Sequence, residues 1–162
     1  MKRPKPNPSL DLEISRFIDA PVALVWEAWT NPEHFKKWWT PRPWQTVAAD
    51  MVLRPGGLFR TVMRSPEGKS FDHKGMFIDV QPERLIAFTD ALDDDWRPTS
   101  DAFFTALIYF EPEGDGTRYT AYALHKDEAG CKRHVEMGFH EGWGSAFTQL
   151  EEVVAGLKAT RA

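Results

Sequence analysis

The stretch HVEMGFHEGWGSAFTQLEEVVAGL, residues 134–157, decides the reading of this chain. Val135, Phe139, Trp143, Ala146, Phe147, Leu150, Val153, Val154 and Leu157 recur at three- and four-residue steps. That spacing predicts one long helix over roughly residues 132–157, with a single broad apolar face. Gly138, Gly142 and Gly144 interrupt its first half. An interior glycine costs a helix about 1 kcal/mol relative to alanine, so three together need a reason. Two fit: another backbone approaches closely there, or the helix leaves space over a sheet for a small molecule. By this reading Gly142 sits against the sheet or the cavity.

The remaining segments supply that sheet. Leu10, Leu12, Ile14 and Arg16 alternate with Asp11, Glu13 and Ser15, a strand pattern. Asp19 then offers a helix cap and Pro21 a first-turn proline, ahead of Val22, Val25, Trp26 and Trp29 on one helical face. Asn31-Pro32 ends that helix and starts a second short one carrying Phe35, Trp38 and Trp39. Strand signals follow near 44–53, 57–64, 69–80, 84–91, 102–111 and 117–125, separated by Pro- and Gly-rich turns and an acidic loop. Short connections predict an antiparallel meander. The expected architecture is α+β: about seven strands curved around a long C-terminal helix, with two short helices after the first strand. Residues 1–9 read as a flexible proline-rich tail, 10–157 as one domain and 158–162 as a C-terminal tail.

Composition narrows the function classes. The chain has 162 residues, 42% hydrophobic and 27% charged, which suits one globular domain with a real core. Seven Trp and eleven Phe are enough rings to line a pocket as well as fill a core. A net charge of -4 argues against a broad nucleic-acid footprint. Cys131 alone excludes an internal disulfide and suits a reducing compartment. Lys2, Arg3 and Lys5 precede Pro6, Asn7, Pro8 and Ser9 rather than an apolar run, and no segment is long enough for a membrane span. A soluble, cytoplasmic protein is the expectation.

Four stretches carry a family resemblance: IDAPVALVWEAWTNPEHFKKWW (18–39), RPGGLFRTVMRSPEG (54–68), the segment from Gly75 through PERLIAFT (75–89) and MGFHEGW (137–143). Together they resemble the bacterial homologues of the C-terminal domain of the heat-shock-ninety ATPase activator. That family lies in the START-like, birch-pollen-allergen-like and polyketide-cyclase superfamily. The resemblance spans roughly residues 10–157 and implies a helix-grip fold with a hydrophobic cavity between sheet and long helix. The superfamily includes lipid and hormone carriers, cyclases and co-chaperone domains, so the fold implies no single activity.

Period-two alternation predicts which side chains face inward. Phe59, Thr61 and Met63 oppose Arg60 and Arg64; His73 and Phe77 share a face; so do Phe104, Ala106, Ile108 and Phe110; Tyr119 completes the set. Phe103, Thr105, Leu107 and Tyr109 form an outer face too apolar for open water, fitting an interface such as a homodimer contact or cover by a loop. Trp38, Trp39 and Trp96 are expected at one mouth of the cavity, His134 at its entrance, and Phe139 and Trp143 on the helix stripe. Each of these residues also fits a plain core.

No catalytic constellation emerges. His73 can orient a carbonyl or hydroxyl or simply be a bonded core histidine, and His140 reads as a solvated helix position. Cys131 and His134 lack a second pair at metal-ligating spacing, so no metal and no cofactor are expected. Ser145 lies inside a helix rather than at a nucleophile elbow. Three readings stand: a module binding an apolar or aromatic small molecule, a cyclase- or hydrolase-type enzyme that orients a polyketide-like ligand, and a co-chaperone. The known activator has a separate N-terminal domain before this module, whereas here only nine residues precede Leu10, which counts against a chaperone partner.

Overall fold

Alternating apolar side chains draw seven strands into one antiparallel sheet, described in a computed structural model covering residues 3–161. β1 (Asp11–Ile18) leads to α1 (Val22–Thr30) and α2 (Pro32–Phe35). Six strands follow: β2 (Gln45–Met51), β3 (Leu58–Arg64), β4 (Ser70–Gln81), β5 (Leu85–Thr89), β6 (Thr105–Glu113) and β7 (Gly116–Leu124). The chain ends in α3 (Glu128–Glu136) and α4 (Phe139–Thr160). The sheet order is β1-β7-β6-β5-β4-β3-β2, so β2 to β7 form the expected meander and β1 closes against the last strand. This is the helix-grip arrangement, α4 lying along one face of the sheet.

The C-terminal segment differs from the single helix its periodicity predicts. Gly138 adopts φ +91°, a left-handed conformation that a helix interior cannot hold, and it separates α3 from α4. The break resets the helical phase. Phe139, Ala146, Phe147, Leu150 and Val154 stay buried on the predicted stripe, but Val135 lies in α3 and is exposed. Gly142 also departs from expectation: a Cβ built there meets no atom within 4 Å, so no backbone approaches it. Gly144 faces the Arg16 guanidinium and the Ile14 tip at ordinary contact distance. α4 continues through Thr160, into the stretch read as a C-terminal tail.

Two other local expectations resolve differently. Pro21, not Asp19, occupies the N-cap position of α1 and makes no side-chain cap bond. Asp19 instead meets Lys158, whose ammonium donates to the Asp19 carbonyl at 3.0 Å. Asn31 does cap α2, accepting from the Glu33 N–H at 3.0 Å.

The concave face holds the main core. Phe59, Phe77, Ile86, Phe88, Ile108, Phe110 and Tyr119 from the strands pack with Trp29 and Phe35 from the short helices and with Phe147, Leu150 and Val154 from α4. The Trp29 indole N–H donates to the Tyr119 hydroxyl at 3.0 Å, giving the one polar atom of each buried ring a partner. The convex face has a smaller cluster of Leu85, Ala87, Leu107, Tyr109 and Tyr122. The Arg3 guanidinium stacks 4.4 Å from the Tyr109 ring centre, donates to the Tyr122 hydroxyl at 3.1 Å and pairs with Glu111 at 2.8 Å. The outer face read as too apolar for water is thus covered at this point by the amino-terminal segment. Phe103 does not share that face, because β6 begins at Thr105 and the alternation does not extend back to it.

The two helix-region glycines make opposite predictions. Gly142→Ala should stabilise the protein by about 0.5–1 kcal/mol, since space is available and helix propensity improves. Gly138→Ala should destabilise it by about 1 kcal/mol or more through left-handed strain. Urea unfolding midpoints of the two variants read both signs directly.

Candidate functional site

Two histidines nine positions apart are brought together where β7 ends and α3 runs past it. His125 follows β7, and its backbone N–H donates to the Leu10 carbonyl at 3.0 Å, extending the β1–β7 ladder by one rung. Its imidazole Nδ1 lies 2.8 Å from the same carbonyl. Its Nε2 lies 2.9 Å from Nδ1 of His134, in the last turn of α3. Among the described residues, His134 makes no other side-chain hydrogen bond.

Aromatic rings surround His134. Its ring centre lies 4.7 Å from Phe103, 5.2 Å from Phe104, 5.0 Å from Phe139 and 6.0 Å from Trp143. Phe103, Phe104 and Trp143 are half-buried, whereas Phe139 is closed off from solvent. The Asp90 carboxylate fixes the first two rings by accepting the Phe103 N–H at 2.9 Å and the Phe104 N–H at 3.2 Å. Burial holds the Asp90 carboxyl above its usual range against the opposing pull of those bonds. Gly138 supplies the turn that lets His134 from α3 and Phe139 from α4 face the same place. The cluster meets the main core through Phe104 and Phe88, 6.2 Å apart.

Burial, reinforced by the neighbouring His125, lowers the His134 pKa to about 4. The imidazole is therefore neutral at physiological pH, a basic nitrogen heterocycle in apolar surroundings.

Of the residues predicted to line a cavity, one group forms a packed interior. Trp38, Phe59, Phe77, Ile108 and Tyr119 are almost fully buried. Phe59 stacks on Phe77 at 4.7 Å, and the Trp38 N–H donates to the Ala28 carbonyl at 2.9 Å, inside the core rather than at a mouth. Trp39 is half-buried and stacks 4.7 Å from Phe35. Thr61 is buried, and Met63 half-buried, on the same strand face. Phe104, His134, Phe139 and Trp143 form the second group described above.

Two predicted residues lie elsewhere. His73 pairs with Thr61 across β3 and β4, as its inward register requires, but sits beyond the packed rings and is exposed. It therefore does not supply a buried polar group. Trp96 is 55% exposed and adopts φ +62°. Its indole lies over Gly56, where a Cβ would come within 2.8 Å of the ring nitrogen. It covers the β2–β3 turn. Two surface hollows of about 310 and 390 Å³ lie outside both groups, one between the amino-terminal segment and α3, the other beside the end of α4.

Sequence reasoning missed Gln149 and His125. Gln149 is buried in α4, donates to the Trp38 and Thr40 carbonyls at 3.1 and 2.9 Å, and accepts the Arg42 N–H at 2.9 Å. It ties the tryptophan-bearing segment to the helix, and only its place beside the apolar stripe hinted at burial. His125 carries no periodic signal, since its partners are a carbonyl 115 positions away and a histidine on another element.

Two measurements follow from this geometry. Ile108 is 2% exposed among packed rings, so Ile108→Phe should destabilise by about 1–3 kcal/mol through overpacking, read by urea unfolding. The His134 pKa of about 4 lies below its ordinary value of 6.5, so the unfolded chain takes up a proton that the folded chain refuses. This stability is fully present above about pH 6.5 and is lost as pH falls toward 4, by about 1–3 kcal/mol. His134→Phe should flatten that part of the stability–pH curve.

Comparison with known proteins places the chain in a family. Protein NE0264 from Nitrosomonas europaea is 46% identical, the match covering 94% of this chain and 99% of that one, with a TM-score of 0.91. Protein Ms6760 from Mycobacterium smegmatis is 27% identical over 90% of each chain, with a TM-score of 0.75. An AHSA1-like protein from Aeromonas hydrophila, 19% identical with a TM-score of 0.66 over 92% of this chain and 94% of that one, shares the fold. A search of curated proteins gives no match. The family model described as "Activator of Hsp90 ATPase homolog 1-like protein" matches residues 19–155, and the chain belongs to that family.

Proposed function

We propose that the protein binds an apolar, aromatic small molecule at the cluster around His134. The observation that carries this reading is a neutral, buried imidazole ringed by Phe103, Phe104 and Trp143, each half open to solvent. Apolar walls with one oriented polar group are the usual composition of a small-molecule site. The helix-grip fold supports the same reading, since it sets α4 against a curved sheet. The binding surface is smaller than a cavity running the length of the sheet, because the Trp29, Phe59 and Phe77 end is filled.

A cyclase- or hydrolase-type reaction would need a second proton-transferring group free to reach the ligand, and His125 is engaged on both nitrogens, by the Leu10 carbonyl and by His134. The Asp90 carboxylate is occupied by the Phe103 and Phe104 amides. A co-chaperone activity, which the family description names, has its own readout: a change in Hsp90 ATPase rate on addition of the protein.

Binding of 1-naphthol tests the proposal. Calorimetry should give saturable 1:1 binding, with amide chemical-shift changes centred on Phe103, Phe104, His134 and Trp143. Phe104→Ala and Trp143→Ala should each weaken affinity about tenfold or more. Trp44→Ala, on the exposed Trp44–Phe71 pair, should leave it unchanged. Failure of 1-naphthol and of other apolar aromatics to bind, or binding indifferent to Trp143, overturns the proposal.

A further inference from the structure

The hydrogen-bond chain from Leu10 to His134 fixes which nitrogen of His134 carries its proton. A carbonyl oxygen only accepts, so Nδ1 of His125, 2.8 Å from the Leu10 oxygen, bears a hydrogen. In neutral imidazole the other nitrogen is then a bare acceptor. With His125 neutral, its Nε2 accepts and Nδ1 of His134, 2.9 Å away, donates. This leaves Nε2 of His134 with a lone pair and no hydrogen. Among the described residues nothing donates to it. That nitrogen lies on the ring edge turned away from His125. Phe104, Phe139 and Trp143 each make a ring contact with His134.

We infer that the site selects ligands carrying a neutral hydrogen-bond donor, such as a phenolic or enolic hydroxyl, which donates to Nε2 of His134 while its ring lies among Phe103, Phe104 and Trp143. This rests on the binding reading above and adds the ligand's chemical class. A ligand carbonyl, ether or carboxylate would instead place lone pair against lone pair at Nε2. An acceptor-only ligand would be accommodated only after the whole relay reversed, and the Leu10 carbonyl forbids that for a neutral His125. His125 is accordingly a positioning residue, acting on the ligand through His134.

The discriminating experiment compares 1-naphthol with 1-methoxynaphthalene, which keeps the rings and removes the donor. Wild-type protein should bind 1-naphthol about tenfold more tightly, the margin of one net hydrogen bond. Long-range nitrogen–proton NMR spectra of the free protein should show His134 protonated at Nδ1 and bare at Nε2. In His125→Phe, which removes the acceptor, His134 should shift toward the Nε2–H form and the preference for 1-naphthol should collapse. The wild-type comparisons decide the matter even if that variant folds poorly. Equal binding of both probes, or an Nε2–H tautomer in the wild type, overturns the inference and leaves the binding site standing. Binding of neither probe overturns the binding reading and the ligand class together.

Discussion

The Trp29 indole is the constraint around which the structure is arranged. It is completely buried, its N–H is bonded to the Tyr119 hydroxyl, and its rings lie against Phe35, Trp38, Trp39, Phe59, Phe77 and Phe88. One side chain on a nine-residue helix thereby joins β3, β4, β5 and β7 to the segment that follows α1. Burial pushes the Tyr119 phenol well above its ordinary range, so the hydroxyl stays protonated and its oxygen remains an acceptor for the indole. That end of the concave face is filled by rings.

The strands were readable because each alternates over enough residues to assign a face, and their turns are marked by Pro and Gly. Phe59, Phe77, Ile108 and Tyr119 all lie on the faces that alternation assigns. The α4 stripe was readable for the same reason from Phe139 onward. The break before it was not, since periodicity weighs side chains and is blind to a backbone that turns left-handed at one glycine. Val135 fell at a helical interval from Phe139 by coincidence of spacing and lies on the solvent side of another helix.

The site was legible only in part. Phe104, His134, Phe139 and Trp143 were on the expected list and do converge. His73 was singled out by face alone, and face does not say how far a strand reaches beyond the packed rings; it is exposed. The partners that give His134 its character are His125, nine positions earlier, and the Leu10 carbonyl near the start of the chain. Asp90, which holds Phe103 and Phe104, falls at the end of a predicted strand and shows no sign of that contact in sequence. Such links depend on tertiary closure and leave no local pattern.

The left-handed residue between α3 and α4 also divides the molecule energetically. α3 buries only Gly130, Cys131 and His134, whereas α4 is anchored along the sheet by Phe147, Leu150, Val154 and the Gln149 bonds. Elements with little buried surface open at a lower free energy than the global unfolding of a domain. α3 is therefore expected to open locally before the sheet and α4 do. Amide hydrogen exchange should then be faster along α3 than along α4, at a rate set by the docking energy of one short helix rather than by the stability of the fold.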